Sequence, residues 1–246
     1  MKEVRFFYCP DLPMPDECQG RVGELPAEEA THALRVLRLK EGDELMLLDG
    51  RGTFFSAVVD SVRGHRLYYR ISGILPQQRE WDGHIHLAIA PTKMMERIEW
   101  LTEKATEMGI DRLSLLDCRF SERRQVKTDR LERIVVAAVK QSRKAWMPEV
   151  EPMQPFRQFI EQHTEGNRYI AHCYEEVERV PLFTELQQVS SKDALVLVGP
   201  EGDFSIEEVR MAVASGYKSV SLGTSRLRTE TAGLMAVAMM RLAFTP

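Results

Sequence analysis

Residues 194–205 read Ala-Leu-Val-Leu-Val-Gly-Pro-Glu-Gly-Asp-Phe-Ser, an apolar run that stops abruptly at Gly199. A short apolar run closed by a turn signal predicts a buried strand of the kind found in parallel sheets. Ser205-Ile-Glu-Glu208 reads as a capping box, in which the serine oxygen accepts a backbone N–H and the glutamate reaches back to the cap. Strand, glycine turn and helix start place backbone N–H groups at a strand's carboxyl end, where open α/β sheets bind ligands. The pattern then recurs. Residues 219–222, Ser-Val-Ser-Leu, lead into Gly223 and on to Thr-Ser-Arg-Leu-Arg-Thr-Glu-Thr-Ala. Two such turns suggest one ligand held between two loops. Taken singly, each glycine could simply permit a tight turn.

Outward from these turns, strands and helices alternate from residue 84 onward. Strands are expected at 84–90, 112–117, 168–173, 194–198 and 219–222, and helices at 93–108, 128–144, 205–215 and 229–244. Gly109 stands where a left-handed C-cap is favoured. The alternation predicts an α/β domain with a mainly parallel sheet and helices on both faces. The final helix is rich in alanine, glycine and methionine, which suits close packing as a core or dimer helix.

The earlier part of the chain has a different rhythm. Short strands are expected at 4–8, 44–48, 53–59 and 66–71, with Asp49-Gly50-Arg51-Gly52 as a hairpin turn. A helix over 26–39 would carry Ala30, Ala33, Leu34 and Leu37 on one face. This pattern suggests a small β-barrel. A proline-interrupted polar stretch near residues 74–82 reads as a linker. The expected organisation is therefore a barrel over 1–73, a linker over 74–82 and an α/β domain over 83–246.

Composition narrows the function class. Of the 246 residues, 43% are hydrophobic and 28% charged, and no apolar run approaches the roughly 18 residues a membrane span needs. Charged residues at the start leave no apolar signal segment, so a cytoplasmic protein with no membrane partner is expected. Cys9, Cys18, Cys118 and Cys173 are widely spaced, which suits reduced thiols and predicts no metal framework of cysteines. The net charge of −4 gives no global sign of nucleic-acid binding. Residues 119–144 are nevertheless strongly basic, and His32, Arg35, Arg38 and Lys40 form a second basic stripe. Either cluster could be a solvated helix face or a nucleic-acid surface.

Neither glycine turn is a standard phosphate cradle. No lysine follows Gly202, as a Walker loop requires, and the dinucleotide fingerprint Gly-x-Gly-x-x-Gly is absent. A kinase or a common dinucleotide dehydrogenase is therefore disfavoured.

Gly199-Pro-Glu-Gly202, Leu222-Gly223 and Leu227-Arg-Thr-Glu-Thr-Ala232 together resemble the signature of the SPOUT methyltransferases. More narrowly, the chain is similar to the small-subunit ribosomal RNA uracil-N3 methyltransferases. Matches run along nearly its whole length. They include Arg5-Phe-Phe7, Leu34-Arg35, Leu37-Arg38, Lys104-Ala-Thr-Glu107, Glu122-Arg123 and Gln141-Ser142. The resemblance implies a PUA-like barrel joined to a deep-trefoil-knot α/β domain, a homodimer, and S-adenosyl-L-methionine as cofactor. The family turn is usually Gly-Pro-Glu-Gly-Gly, whereas this chain has Asp203. Aspartate tolerates positive φ better than most residues, so accommodation is expected.

The same resemblance implies which residues hold the cofactor. Ala171 and His172 come from one loop. Leu197, Val198, Gly199, Pro200, Glu201 and Gly202 come from the next, and Leu222, Gly223, Ser225, Leu227 and Arg228 from the last. His172 could equally be a packed strand-end histidine. Methylation at uracil N3 removes an imino proton, and the developing anion would gain from a fixed cation, a role open to Arg228. Glu201 or Glu230 could take the proton, hold an arginine or cap a helix; Glu201 is the candidate base. N3 lies on the Watson–Crick edge, so the target uridine must be unpaired. The expected partner is 16S ribosomal RNA, probed by Arg5, Phe7, Arg35, Arg38, Arg119, Arg123, Arg124, Gln141 and Arg143. Two alternatives stand beside this: a non-catalytic RNA-binding protein of the same fold, and a SPOUT enzyme acting on tRNA or large-subunit RNA.

Overall fold

The computed structural model describes residues 4–246. The chain divides into two compact units. One runs up to Arg79 and includes Val139–Met147; the other comprises Glu80–Ala138 and Pro148–Pro246.

The first unit holds β1 (Phe6–Tyr8), β2 (Val22–Glu24), α1 (Ala27–Thr31), β3 (Glu44–Leu48), β4 (Thr53–Arg63) and β5 (Arg66–Pro76). They form one five-stranded sheet in the order β1-β3-β4-β5-β2. Alternation along the strands sends Phe7, Leu45, Leu47 and Phe55 into a common core with Leu67 and Ile71. Register shifts in the β4–β5 pairing, between Ser56 and Ala57 and between Val59 and Ser61, mark irregularities of the kind that bend a sheet.

The helix and the last strand depart from the pattern expected of the sequence, whereas the Asp49 turn forms as expected. The expected helix over 26–39 is α-helical only to Thr31 and continues as a single π turn, His32–Val36. Arg38 then adopts φ 55°, which no helix continues. β5 runs on to Pro76 because Ile74 and Leu75 pair with Phe55 and Phe54. The Asp49 turn owes its shape to the aspartate, whose Oδ1 accepts the N–H groups of Arg51 at 2.8 Å and Thr53 at 3.2 Å.

The second unit carries β6 (His84–Ile89), α2 (Met95–Met108), β7 (Arg112–Asp117), α3 (Asp129–Ser142), β8 (Glu149–Pro155), α4 (Phe156–Gln162) and β9 (Asn167–Ala171). It continues with β10 (Val180–Pro181), α5 (Leu182–Gln188), β11 (Asp193–Val198), α6 (Ile206–Ala214), β12 (Lys218–Ser221) and α7 (Thr229–Phe244). The last residues of α3 group with the first unit. The seven strands form one sheet in the order β10-β12-β9-β11-β6-β7-β8, and every pair is parallel. The expected mainly parallel α/β architecture is what the chain adopts.

Alternating residues of β6 feed two cores. Ile85, Leu87 and Ile89 pack with Leu101 of α2, Leu186 of α5 and Val237 of α7. Ala88 faces the other way, into a core with Phe159 of α4 and Val209 of α6. Helices thus cover both faces, which is what a parallel sheet requires. α7 lies close against the sheet because Gly233 has no side chain: a Cβ there would sit 2.9 Å from Ile89 Cδ1. β8, α4, β10 and α5 are absent from the sequence reading. All are short, and proline begins or ends each of β8, β10 and their helices' approach.

Candidate active site

β12, β9 and β11 are neighbours, and Val220, Ala171 and Val198 stand in register near their carboxyl ends. Because the strands are parallel, the loops beginning at His172, Gly199 and Leu222 leave the same edge side by side. These are the loops named from the sequence. The end of β6 joins them, with the Ala90 N–H donating to Val198 O at 3.0 Å.

The Gly199 turn is tightly built. A Cβ on Gly199 would lie 2.8 Å from the Phe204 backbone nitrogen, so the position admits only glycine without a backbone shift. The Asp203 N–H donates to Pro200 O at 3.0 Å, closing the turn. Gly202 has φ 105° and Asp203 φ 80°. Asp203 therefore occupies the left-handed region, as expected, and its carboxylate stabilises the conformation. Oδ1 accepts the Phe204 N–H and Oδ2 the Cys173 N–H, both at 2.7 Å. Tyr174 adds a second tie by donating its hydroxyl to Phe204 O at 2.8 Å. The capping box is present in full, with Glu208 N–H on Ser205 Oγ and the Ser205 N–H on Glu208 Oε2.

Glu201 faces outward from this turn but is engaged. Its carboxylate accepts the Lys93 N–H at 3.1 Å and pairs with Arg97 Nη1 at 3.2 Å. Arg97 also reaches Glu230 at 3.7 Å. Glu230 is buried at the first turn of α7, and its Oε2 has no hydrogen-bond partner among the described residues. Arg97 thus joins α2, the glycine turn and α7. No local pattern in the sequence marks Arg97, because its two carboxylate partners lie more than a hundred residues along the chain.

His172 is 4% exposed. Its Nδ1 accepts the Tyr174 N–H at 3.3 Å, while Nε2 is buried without a partner among the described residues. Burial lowers its pKa from the ordinary histidine value; nearby Asp203 opposes the shift and Arg179 adds to it. The ring is a neutral group with one unused polar atom at the loop edge. In the last loop, Gly223 has φ 120°, Leu222 and Leu227 are half-buried, and Ser225 is exposed. Arg228 is exposed as the N-cap residue of α7, and its guanidinium has no acidic partner among the described residues.

The basic residues fall into two groups. Arg119, Arg123 and Arg124 occupy the loop after β7, on the same sheet edge. Arg119 pairs with Glu207 at 3.1 Å and Arg124 with Asp117 at 2.6 Å, while Arg123 donates to Lys93 O at 2.8 Å. The Arg119 N–H donates to Glu208 at 2.8 Å, which ties this loop to the start of α6. A cavity of about 320 Å³ lies here, bordered by Lys93, Met95, Glu99, Arg123 and Arg130. Arg5, Arg35, Arg38, Gln141 and Arg143 are exposed on the first unit. Phe7 is the correction. It is fully buried in the β1–β3 core and presents no ring to RNA, because strand alternation points it inward. Its neighbour Phe6 is half-buried, edge-on to Phe54 at 5.2 Å, with the Arg143 guanidinium 5.7 Å from its ring.

Known proteins share this fold. A family described as RNA methyltransferase domain matches residues 79–241, and one described as RNA methyltransferase PUA domain matches residues 25–71. A Synechocystis protein named ribosomal RNA small subunit methyltransferase E is 32% identical over 229 residues, covering 92% of this chain and 75% of its own. A probable rRNA-methyltransferase from Porphyromonas gingivalis has a solved structure with TM-score 0.87 at 41% identity, covering 98% of both chains. The ribosomal RNA small subunit methyltransferase E of Neisseria gonorrhoeae, solved bound to S-adenosyl methionine, has TM-score 0.82 at 26% identity, again covering 98% of both. The SPOUT resemblance is therefore upheld, and the chain belongs to the RNA methyltransferase family, among the ribosomal RNA small subunit methyltransferase E proteins.

Proposed function

We propose that this chain transfers a methyl group from S-adenosylmethionine to N3 of a uridine in 16S ribosomal RNA of the small subunit. In this reading it acts as a cytoplasmic homodimer, with the cofactor loops threaded as the trefoil knot of its family. The observation that carries the reading is the convergence of three loops at the carboxyl ends of β12, β9 and β11. The relatives' names and the cofactor in the Neisseria gonorrhoeae structure support the same chemistry.

The residues fit such a cofactor. Gly199 lets the turn close on itself, since a Cβ there would strike the Asp203–Phe204 backbone, and His172 keeps an unused Nε2 at the same edge. Val198 through Gly202 and Leu222 through Leu227 would hold it with backbone groups and small apolar surfaces. When bound, S-adenosylmethionine supplies an electrophilic methyl group on sulfonium.

The chain's own residues do the rest. Arg228 is exposed and its guanidinium has no acidic partner among the described residues, so it can stabilise the anion that develops on the uracil as the N3 proton leaves. Glu201 would take the N3 proton only on releasing Arg97; while it holds α2 and the turn in place, the proton passes to solvent water. Arg119, Arg123 and Arg124 offer cationic contacts beside the same edge.

The deciding experiment is nucleoside mass spectrometry of RNA from a strain lacking the gene, complemented with wild type or Arg228→Ala. Loss of 3-methyluridine from small-subunit RNA, restored by wild type alone, is expected. Loss confined to tRNA or large-subunit RNA would refute the substrate. Full restoration by Arg228→Ala would refute the residue's role.

A further inference from the structure

The opposite edge of the parallel sheet, where the strands begin, carries a second set of chemistry-bearing side chains that methyl transfer does not use. His86 on β6, Glu151 on β8 and His163 just after α4 each offer one donor atom, and the three atoms lie within 4.8 Å of one another. Tetrahedral zinc with bonds of about 2.0–2.2 Å holds its donors roughly 3.4 Å apart, so side-chain movements of about 1 Å close the set.

Neighbouring groups orient all three donors. His163 Nδ1 lies 2.9 Å from Phe159 O, a contact that requires the proton on Nδ1 and leaves the lone pair on Nε2. The His163 ring is also stacked on Phe159 at 4.0 Å. The Ser114 hydroxyl donates to Glu151 and accepts the His86 Nε2–H at 2.6 Å, which leaves the His86 lone pair on Nδ1. One serine thus links two of the donors, as outer partners do around metal ligands. Burial is the main reason that His86 is held neutral, the state in which imidazole binds metal.

Arg112 is the cation that faces the cluster. It contacts Glu151 at 3.5 Å but holds Glu149 more closely, at 2.9 Å. It can therefore keep a carboxylate partner when Glu151 turns away. A cavity of about 310 Å³ opens beside the donors, lined in part by His84, Arg112, Asn167 and Asp193, and supplies an entry path.

We propose that His86, Glu151 and His163 form a site for a divalent transition metal, with a fourth coordination position open to the cavity. Two imidazoles and one carboxylate suit zinc, and the ion would join β6, β8 and the end of α4.

The test uses the full chain, freed of metal by chelator and titrated calorimetrically with zinc chloride. Binding of one ion per chain is expected, with a rise in Tm on zinc addition. Glu151→Gln and His163→Ala, at half-buried positions that leave the sheet core intact, should each weaken binding by at least about tenfold and abolish the Tm rise. Absence of saturable binding in the wild-type chain, or wild-type affinity in either variant, overturns the site. Cobalt(II) spectra of the wild-type chain add a measurement independent of any variant. Ligand-field bands of a four-coordinate nitrogen–oxygen site are expected, whereas thiolate charge transfer from the exposed Cys173 would assign the binding elsewhere and overturn the proposal.

Discussion

The Asp203 carboxylate accepts the Cys173 N–H at 2.7 Å, joining two loops through residues thirty apart in the chain. The same side chain holds its own backbone at φ 80°. One residue thus sets the shape of the turn and its distance from the neighbouring loop. Asp203→Gly keeps the backbone freedom and removes the tie, whereas Asp203→Ala loses both. Thermal unfolding should rank wild type above Asp203→Gly and Asp203→Gly above Asp203→Ala. The alanine variant should lose about 2 kcal/mol, or roughly 4–8 °C in Tm. Calorimetric affinity for S-adenosylmethionine should follow the same order.

Gly199→Val places carbon atoms against the backbone of Asp203 and Phe204, at distances of 3.1 and 2.8 Å from the Cβ alone. Backbone cannot rotate aside as a side chain can, so the turn must open. A loss of about 1–3 kcal/mol in stability is expected, with cofactor binding abolished. Chemical denaturation and calorimetry on one preparation check both; retained cofactor affinity would disprove the turn's role.

Arg97 is the cation shared by Glu201 and Glu230. Glu201 is partly solvated and contributes little, so the cost of Arg97→Ala falls on buried Glu230. The loss should be about 1–3 kcal/mol. Glu230→Gln in the same chain removes the buried charge and should recover a substantial part of it. A double-mutant cycle measured by urea unfolding reads the coupling directly.

His172 introduces a pH dependence of definite sign. Its folded-state pKa lies below the ordinary 6.5 because burial disfavours the charged ring. The unfolded chain therefore binds the proton first as pH falls. The full stability is present above about pH 6.5 and declines below it, levelling only beneath the folded-state pKa. His86 acts with the same sign. Tm measured from pH 8 to pH 5 should fall in wild type and fall less steeply in His172→Gln.

Phe6 and Phe7 separate RNA contact from core packing. Phe7→Ala should cost about 3–5 kcal/mol through a cavity in the first unit. Phe6→Ala, at a half-buried position beside Arg143, should cost about 1 kcal/mol. RNA affinity measured well below both melting temperatures should be unchanged by Phe7→Ala.

Much of the fold was legible in local pattern. The strand Asp193–Val198 and the helix Thr229–Phe244 lie where periodicity predicts, and the capping box marks the start of α6 to within a residue. These features rest on interactions between near neighbours in the chain, so sequence carries them. β8, α4, β10 and α5 were not legible. Each is too short to show a period, and β8 contains two prolines that an edge strand tolerates.

The two glycine turns, the helix that follows each of them, the parallel α/β class and the family all follow from local sequence pattern. The tertiary structure alone decided which side chains meet. Arg97 reaches Glu201 and Glu230, Asp203 reaches Cys173, and His86, Glu151 and His163 converge, because the sheet order β10-β12-β9-β11-β6-β7-β8 sets distant segments side by side. Even Phe7 required the fold: its ring type suits RNA or core equally, and only the pairing of β1 with β3 turned it inward. Local chemistry chooses an element, whereas strand order and alternation choose its neighbours.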